Sequence, residues 1–325
     1  MFEIVRYTVD KASEWNEFVS RSKNGTFLFD RRYMDYHSDR FGDHSLMVYR
    51  RGKLYALLPA NVDGDTFFSH QGLTYGGLVM NERATAAEVI LIFKMLNDRL
   101  LGEGLSRVVY KPTPWIYHQQ PAEEDLYAIV EVCGATLTRS ISSVISREHP
   151  NPCYRIRQCG ARSARQAGVT IEETTDFRPF WYILTGNLNT RYGLNPVHTV
   201  QEMELLHSRL PQHIRLFVAK MGQEVLGGTV LYITPQVVHS QYIAASPRGK
   251  QLHVLDLLFQ EVIETSLSQH AFFDFGISTE KHGTYLNEPL IYQKEGFGAR
   301  AVCYDWYEWA IPHKGSDPLC KYKRV

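Results

Sequence analysis

The sequence predicts an α/β (α+β) chain made of two tandem copies of one unit, each a mixed, mostly antiparallel sheet flanked by helices. Three observations carry this. The chain has 325 residues, long for one ordinary domain and suited to two of about 100–200 residues each. Helical and strand periodicities follow one another in the same order twice. Finally, Glu124, Leu126, Glu131, Gly134 and Ala135 recur as Glu288, Leu290, Glu295, Gly298 and Ala299, a constant offset of 164 residues that also carries Val108 onto Phe272.

In the first copy, Asp10 is a candidate cap for a helix burying Ala12, Trp15, Phe18 and Val19, and Asp30 for a second through Tyr33, Met34 and Tyr36. Strands at Leu46 to Tyr49 and Leu54 to Leu58 flank the turn Arg50-Arg51-Gly52-Lys53, and Asp63-Gly64 marks the next reversal. A glycine-rich stretch from Gly72 to Gly77 leads to a helix from about Thr85 to Leu101, with Val89, Ile90, Phe93, Leu96 and Leu100 on one face. The strand Val108-Val109-Tyr110, a helix near Glu123 to Val132 and a strand pair over Ala135 to Ile145 complete it. Pro150 and Pro152 then interrupt any regular element, placing a boundary between domains 1–150 and 151–325.

The second copy repeats the plan. Helices at Phe177 to Leu188 and Val200 to Leu210 precede strands Leu216 to Ala219, Val225 to Ile233 and Val237 to Ala245. The loop Ser246-Pro247-Arg248-Gly249-Lys250 opens a helix from Val254 to Leu267, and the strand Phe272 to Phe275 follows. Tyr304, Trp306, Tyr307 and Trp309 have strand character and read as core.

Composition excludes several classes of function. Lys plus Arg and Asp plus Glu are 35 each, so net charge recommends neither DNA nor an anionic membrane as partner. No run approaches the roughly 18–20 apolar residues of a membrane span, and the N-terminus lacks a leader's apolar core, so a cytoplasmic protein is expected. Cys133, Cys153, Cys159, Cys303 and Cys320 are scattered and odd in number, which fits a reducing compartment; the Cys153/Cys159 spacing matches no zinc site, and no metal is expected.

Two stretches of the second copy carry a resemblance. Phe273-Asp274-Phe275-Gly276, followed by Leu286-Asn287-Glu288-Pro289-Leu290-Ile291-Tyr292-Gln293-Lys294-Glu295-Gly296-Phe297-Gly298, and the basic segment Tyr154 to Gly168 with Arg155, Arg157, Arg162 and Arg165, resemble the FemAB-like branch of the GNAT acyltransferases. The resemblance covers nearly the whole chain and implies tandem GNAT domains, transfer of an acyl or aminoacyl group to an amine, and a setting in bacterial cell-envelope or surface-polysaccharide assembly. It implies acyl-CoA, acetyl-CoA being the simplest, as co-substrate, or aminoacyl-tRNA as an alternative donor. The acceptor would be a small-molecule or sugar-linked amine.

In this fold an anionic donor sits on backbone N–H groups where a strand loops into a helix, which places Ser246, Arg248, Gly249 and Lys250 at the donor. The loop lacks the full Arg-x-x-Gly-x-Gly/Ala pattern of simple acetyltransferases. An attacking amine must lose a proton and the oxyanion needs a donor. Tyr242, Asp274 and Lys294 are the catalytic candidates, and His239, Glu280 and Asn287 the substrate-binding ones. His239 and Tyr242 are an odd number of residues apart, so alternation puts them on opposite sheet faces; Tyr242 is the one expected at the cleft. Asp274 reads equally as a turn cap, Lys294 as a solvated helix face, and the Arg-rich helix as a solvated surface. The first copy has Asn81-Glu82-Arg83 where the second has its basic glycine loop, and is the expected degenerate one. A duplicated scaffold without chemistry is the third reading.

Overall fold

The computed structural model describes residues 1–312; Cys320 lies outside the described residues. The described residues form two compact units, 1–139 with 303–312, and 140–302.

In the first unit, β1 (Phe2–Arg6), β2 (Leu46–Arg50), β3 (Lys53–Leu58) and β6 (Val79–Met80) form an antiparallel sheet. β4 (Asn61–Asp63), β5 (Thr66–Phe68) and β7 (Arg107–Tyr110) follow one another in space, β5 and β7 parallel, and β16 (Arg300–Ala310) lies antiparallel to β7. Trp15, Phe18 and Val19 are the buried face of α1 (Ala12–Arg21). Asp10 does not cap that helix: it sits inside a short 3-10 turn, and the cap position falls to Lys11. Asp30 does cap α2 (Arg31–Met34), accepting from the Arg32 N–H. Val89, Phe93, Leu96 and Leu100 of α3 (Ala86–Gly102) join Ala128 and Ile129 of α4 (Glu124–Cys133) and Trp309 in one core. The expected strand pair at 135–145 is instead one continuous strand, β8 (Thr136–Ser146), because no Gly, Pro, Asn or Asp in that stretch can turn the chain.

In the second unit the strands run β8, β13 (Phe272–Ile277), β12 (Val237–Ala245), β11 (Glu224–Ile233), β10 (Ile214–Met221), β9 (Thr170–Thr174). All pairs are antiparallel except β12 with β13. One face packs on α9 (Val254–Gln269), where Leu258, Phe259 and Val262 meet Leu231, Val238 and Phe273. α5 (Arg155–Gln166) adds Ala161 and Ala164 against Leu257. Phe180 and Trp181 of α6 (Arg178–Tyr192) cover the opposite face, and α7 (Val200–Arg209) is held by a reciprocal Thr199/Glu202 capping box. α8 (Pro247–Gln251) and α10 (Glu288–Glu295) complete the unit.

The 164-residue repeat coincides with element boundaries. α4 begins at Glu124 and α10 at Glu288; β8 spans 136–146 and β16 spans 300–310. One packing detail is decisive near the site: a Cβ on Gly249 would lie 2.2 Å from the Leu226 carbonyl oxygen. Gly249→Ala is therefore expected to destabilise the protein by about 1–3 kcal/mol through overpacking against backbone. A fall of several degrees in the thermal midpoint checks this, and an unchanged midpoint refutes it.

Candidate active site

The site arises from an interrupted pairing. β12 and β13 are in register only at Val237/Phe272, Val238/Phe273 and His239/Asp274. Beyond that point Gly276, at φ +77°, turns β13 aside, so β12 has no strand partner on that side from 240 to 245 among the described residues. A cleft of about 950 Å³ opens there, walled by residues 182–192 of α6, the end of β12 with Ser246, Pro247 and Lys250, Leu255 and Phe259 of α9, Phe275, and Leu290, Gln293, Lys294 and Phe297.

β12 carries a bulge. Opposite β11, Val230 pairs with Tyr242 but Leu231 pairs with Ser240, leaving Gln241 as the extra residue. The bulge overturns the expectation that His239 and Tyr242 face opposite ways: their partners Tyr232 and Val230 are two residues apart, so both side chains share one face. Tyr242 there packs its ring on Trp181 and bonds its hydroxyl to His198 Nδ1 and the His198 N–H.

Asp274 has no exposed surface. Its Oδ1 accepts from the Ser142 hydroxyl and from the Gly276 N–H at 2.8 Å, and its Oδ2 meets His239 Nδ1 at 2.8 Å. Phe273 and Phe275 point to the other face, into the cluster with Phe259 and Phe297. A Cβ on Gly276 would come within 3.2 Å of the His239 ring, so the glycine serves both the turn and the imidazole. Lys294, 5% exposed, donates to the Gly276 and Ile277 carbonyls at 2.8 Å each. Burial pushes its pKa down to about 8, against the opposing pull of Asp274.

The donor-loop residues separate. Ser246 and Lys250 line the cleft; the Ser246 hydroxyl caps α8 by accepting from the Gly249 N–H at 3.0 Å. Arg248 instead forms a half-exposed ion pair with Glu224, and Gly249 is packed on Leu226. Glu280 and Asn287 come together, Asn287 donating to Glu280 at 2.7 Å while its side-chain oxygen caps α10. Charge in the cleft comes from Arg191, Lys250 and Lys294, with no carboxylate among the lining residues. In a chain with equal numbers of acids and bases, that excess makes the cleft locally positive. Of the basic segment 154–168, Arg157 is committed to Asp256 and Arg165 to Glu261.

Sequence reasoning did not single out Ser142, Asn187 or Arg191. Ser142 reaches Asp274 only through the pairing of β8 with β13. Asn187, which donates to the Ala245 carbonyl at 2.9 Å, and Arg191 share a helical face; that spacing was the available signal.

Applying the 164-residue offset to the first unit replaces Asp274 with Tyr110, Gly276 with Pro112 and Lys294 with Val130, which is half exposed. The Tyr110 hydroxyl donates to Asp125, a carboxyl that complete burial pushes up to about 7, and accepts from the Leu78 N–H. Neither the carboxylate, the turn glycine nor the lysine of the second unit is retained there. Among the described residues no group of His, Cys, Asp or Glu is placed to hold a metal ion, and no helix is long and apolar enough to cross a membrane.

Residues 153–284 match the family model of the acetyltransferase (GNAT) domain. No curated protein matches the sequence. Solved structures share the fold over nearly the whole chain. FemX is 12% identical, with a TM-score of 0.64 over 94% of this chain and 96% of that one. L-PGS from Bacillus licheniformis is 14% identical, with a TM-score of 0.59 over 97% and 95%. The tandem GNAT protein from the clavulanic acid biosynthesis pathway is 12% identical, with a TM-score of 0.52 over 96% and 99%.

Proposed function

We propose that this chain, a tandem GNAT-fold protein whose residues 153–284 carry an acetyltransferase (GNAT) domain, is a cytoplasmic N-acyltransferase. It would move an acyl group from acyl-CoA to the amine of an amino sugar or amino acid. The observation that carries the reading is the cleft between β12 and β13, cationic and free of carboxylates, with apolar walls and one open strand edge. An anionic thioester donor fits each feature. Lys250 and Arg191 are the groups that would hold its phosphates, and the edge at 240–245 would take its amide-bearing arm as an added strand. Ile243, Leu255, Phe259 and Phe275 would exclude water from the thioester. Ser246 contributes a cap rather than a free N–H cradle, so side-chain charge is assigned the larger share of donor binding. A role in cell-envelope or surface-polysaccharide assembly rests on the family resemblance.

Calorimetric titration with acetyl-CoA and desulfo-CoA tests the donor. Saturable one-to-one binding supports the reading, and the Arg191→Glu/Lys250→Glu variant is expected to bind at least about tenfold more weakly, with a flatter salt dependence. No binding at millimolar ligand overturns acyl-CoA as donor and leaves aminoacyl-tRNA, then a catalytically silent scaffold, as the readings to try.

A further inference from the structure

We infer that His239 is the base that takes the proton from the attacking amine, and that Asp274 and Ser142 are positioning residues acting through it. The inference rests on the acyl-transfer reading above. Asp274 is fully enclosed, with both oxygens occupied by Ser142, the Gly276 N–H and His239. It therefore offers no face to a substrate and acts by holding the imidazole. An ionised carboxylate can only accept, so the Nδ1–H of His239 donates to Oδ2 and the lone pair resides on Nε2.

The position suits the role. His239 and Asp274 are the last pair before β12 and β13 separate, one residue before Phe275, which lines the cleft. Gly276 lies against the Cε1–Nε2 edge of the ring, where a Cβ would come 3.2 Å from Cε1 and 3.8 Å from Nε2, and the imidazole, although buried, keeps about 8% of its surface exposed. The ionisable groups around it are Asp274 on β13, Lys294 on α10 through the Gly276 carbonyl, and the Tyr242–His198 pair on the same face of β12. Lys294 is spent as a donor to two carbonyls and Tyr242 is tied to His198. Ser142 matters because it fixes Asp274 from β8, opposite the side on which β12 pairs with β13.

The step balances as follows. The amine nitrogen forms a bond to the acyl carbonyl carbon, the C–S bond breaks, the nitrogen's proton goes to Nε2, and the thiolate leaves and is protonated by that imidazolium. Products are an amide and free thiol, and His239 returns to its starting tautomer.

Two measurements on the full-length protein decide it. Nitrogen-15 NMR of the wild-type imidazoles is expected to show His239 carrying its proton on Nδ1 at high pH. Steady-state transfer from a panel of acyl-CoA donors to amine acceptors is expected to show His239→Gln lowering kcat by about 100-fold or more, with donor affinity within about twofold, and Ser142→Ala lowering kcat by about 3–10-fold. A proton on Nε2 overturns the inference even if His239→Gln fails to fold. So does an active wild type whose His239→Gln variant keeps kcat within about threefold. A wild type that neither binds CoA nor transfers any acyl group removes the acyl-transfer reading itself, and the base assignment falls with it.

Discussion

Asp274→Asn is expected to lower turnover by roughly a thousandfold while leaving donor affinity within about twofold. The carboxylate accepts three donors from three places: Ser142 on β8, His239 on β12 and the N–H of Gly276 in its own turn. An amide of the same shape has one acceptor oxygen and a donor nitrogen. If the nitrogen takes the Oδ2 position, it faces His239 Nδ1 and forces the proton to Nε2, the wrong tautomer for a base. If it takes the Oδ1 position, it clashes in hydrogen-bond polarity with the Gly276 N–H, and the turn opens. Donor affinity should survive because Asp274 is absent from the residues that line the cleft, to which β13 contributes only Phe275. A kcat within tenfold of wild type, with the fold intact, would sink the assignment of Asp274. A loss confined to KM would instead mark it as part of the binding wall.

Lys294→Met is expected to cost about 100-fold in kcat and to change how stability depends on pH. The ammonium crosslinks the Gly276 and Ile277 carbonyls to α10. Methionine fills the volume but leaves both carbonyls without that partner, at about 1–3 kcal/mol for each buried one, and frees the turn that aims His239. The pH effect follows from burial, which brings the Lys294 pKa down from 10.5 to about 8. Between those two values the unfolded chain holds a proton that the folded protein has released. Wild-type stability therefore rises with pH across that window relative to the methionine variant, which has nothing to titrate at that position, by about 3 kcal/mol at most. Denaturant unfolding of both proteins at intervals from pH 7 to 11 measures the difference. A flat difference between pH 8 and 10.5 would mean that Lys294 keeps an ordinary pKa.

Much of the architecture could be read from the chain because it is locally encoded. The apolar spacing of Val89, Phe93, Leu96 and Leu100 marks a helix, Gly134 stops another in the left-handed conformation, and Asp30 caps α2. The duplication was visible as a residue pattern, and its offset returned at the boundaries of α4 with α10 and of β8 with β16. Asp10 failed as a cap because a 3-10 turn absorbed it, a choice of a few tenths to about 2 kcal/mol that neighbouring packing decides.

The candidate site divides differently. Residue types and their order along the second copy offered Tyr242, Asp274 and Lys294 as catalytic candidates, His239, Glu280 and Asn287 as substrate-binding ones, and a basic turn opening the helix beside them. Only the tertiary structure decided what each does. One extra residue, Gln241, reversed the alternation and put Tyr242 on the same face as His239. Arg248 turned to Glu224 and left Lys250 at the cleft, where α6 brought Arg191. Ser142, 132 residues before Asp274, completed the carboxylate's partners through strand pairing. Helix spacing and caps are interactions over three or four residues, so a sequence displays them. Register, bulges and the last hydrogen bond to a buried carboxylate are contacts between distant segments, and no local pattern records them.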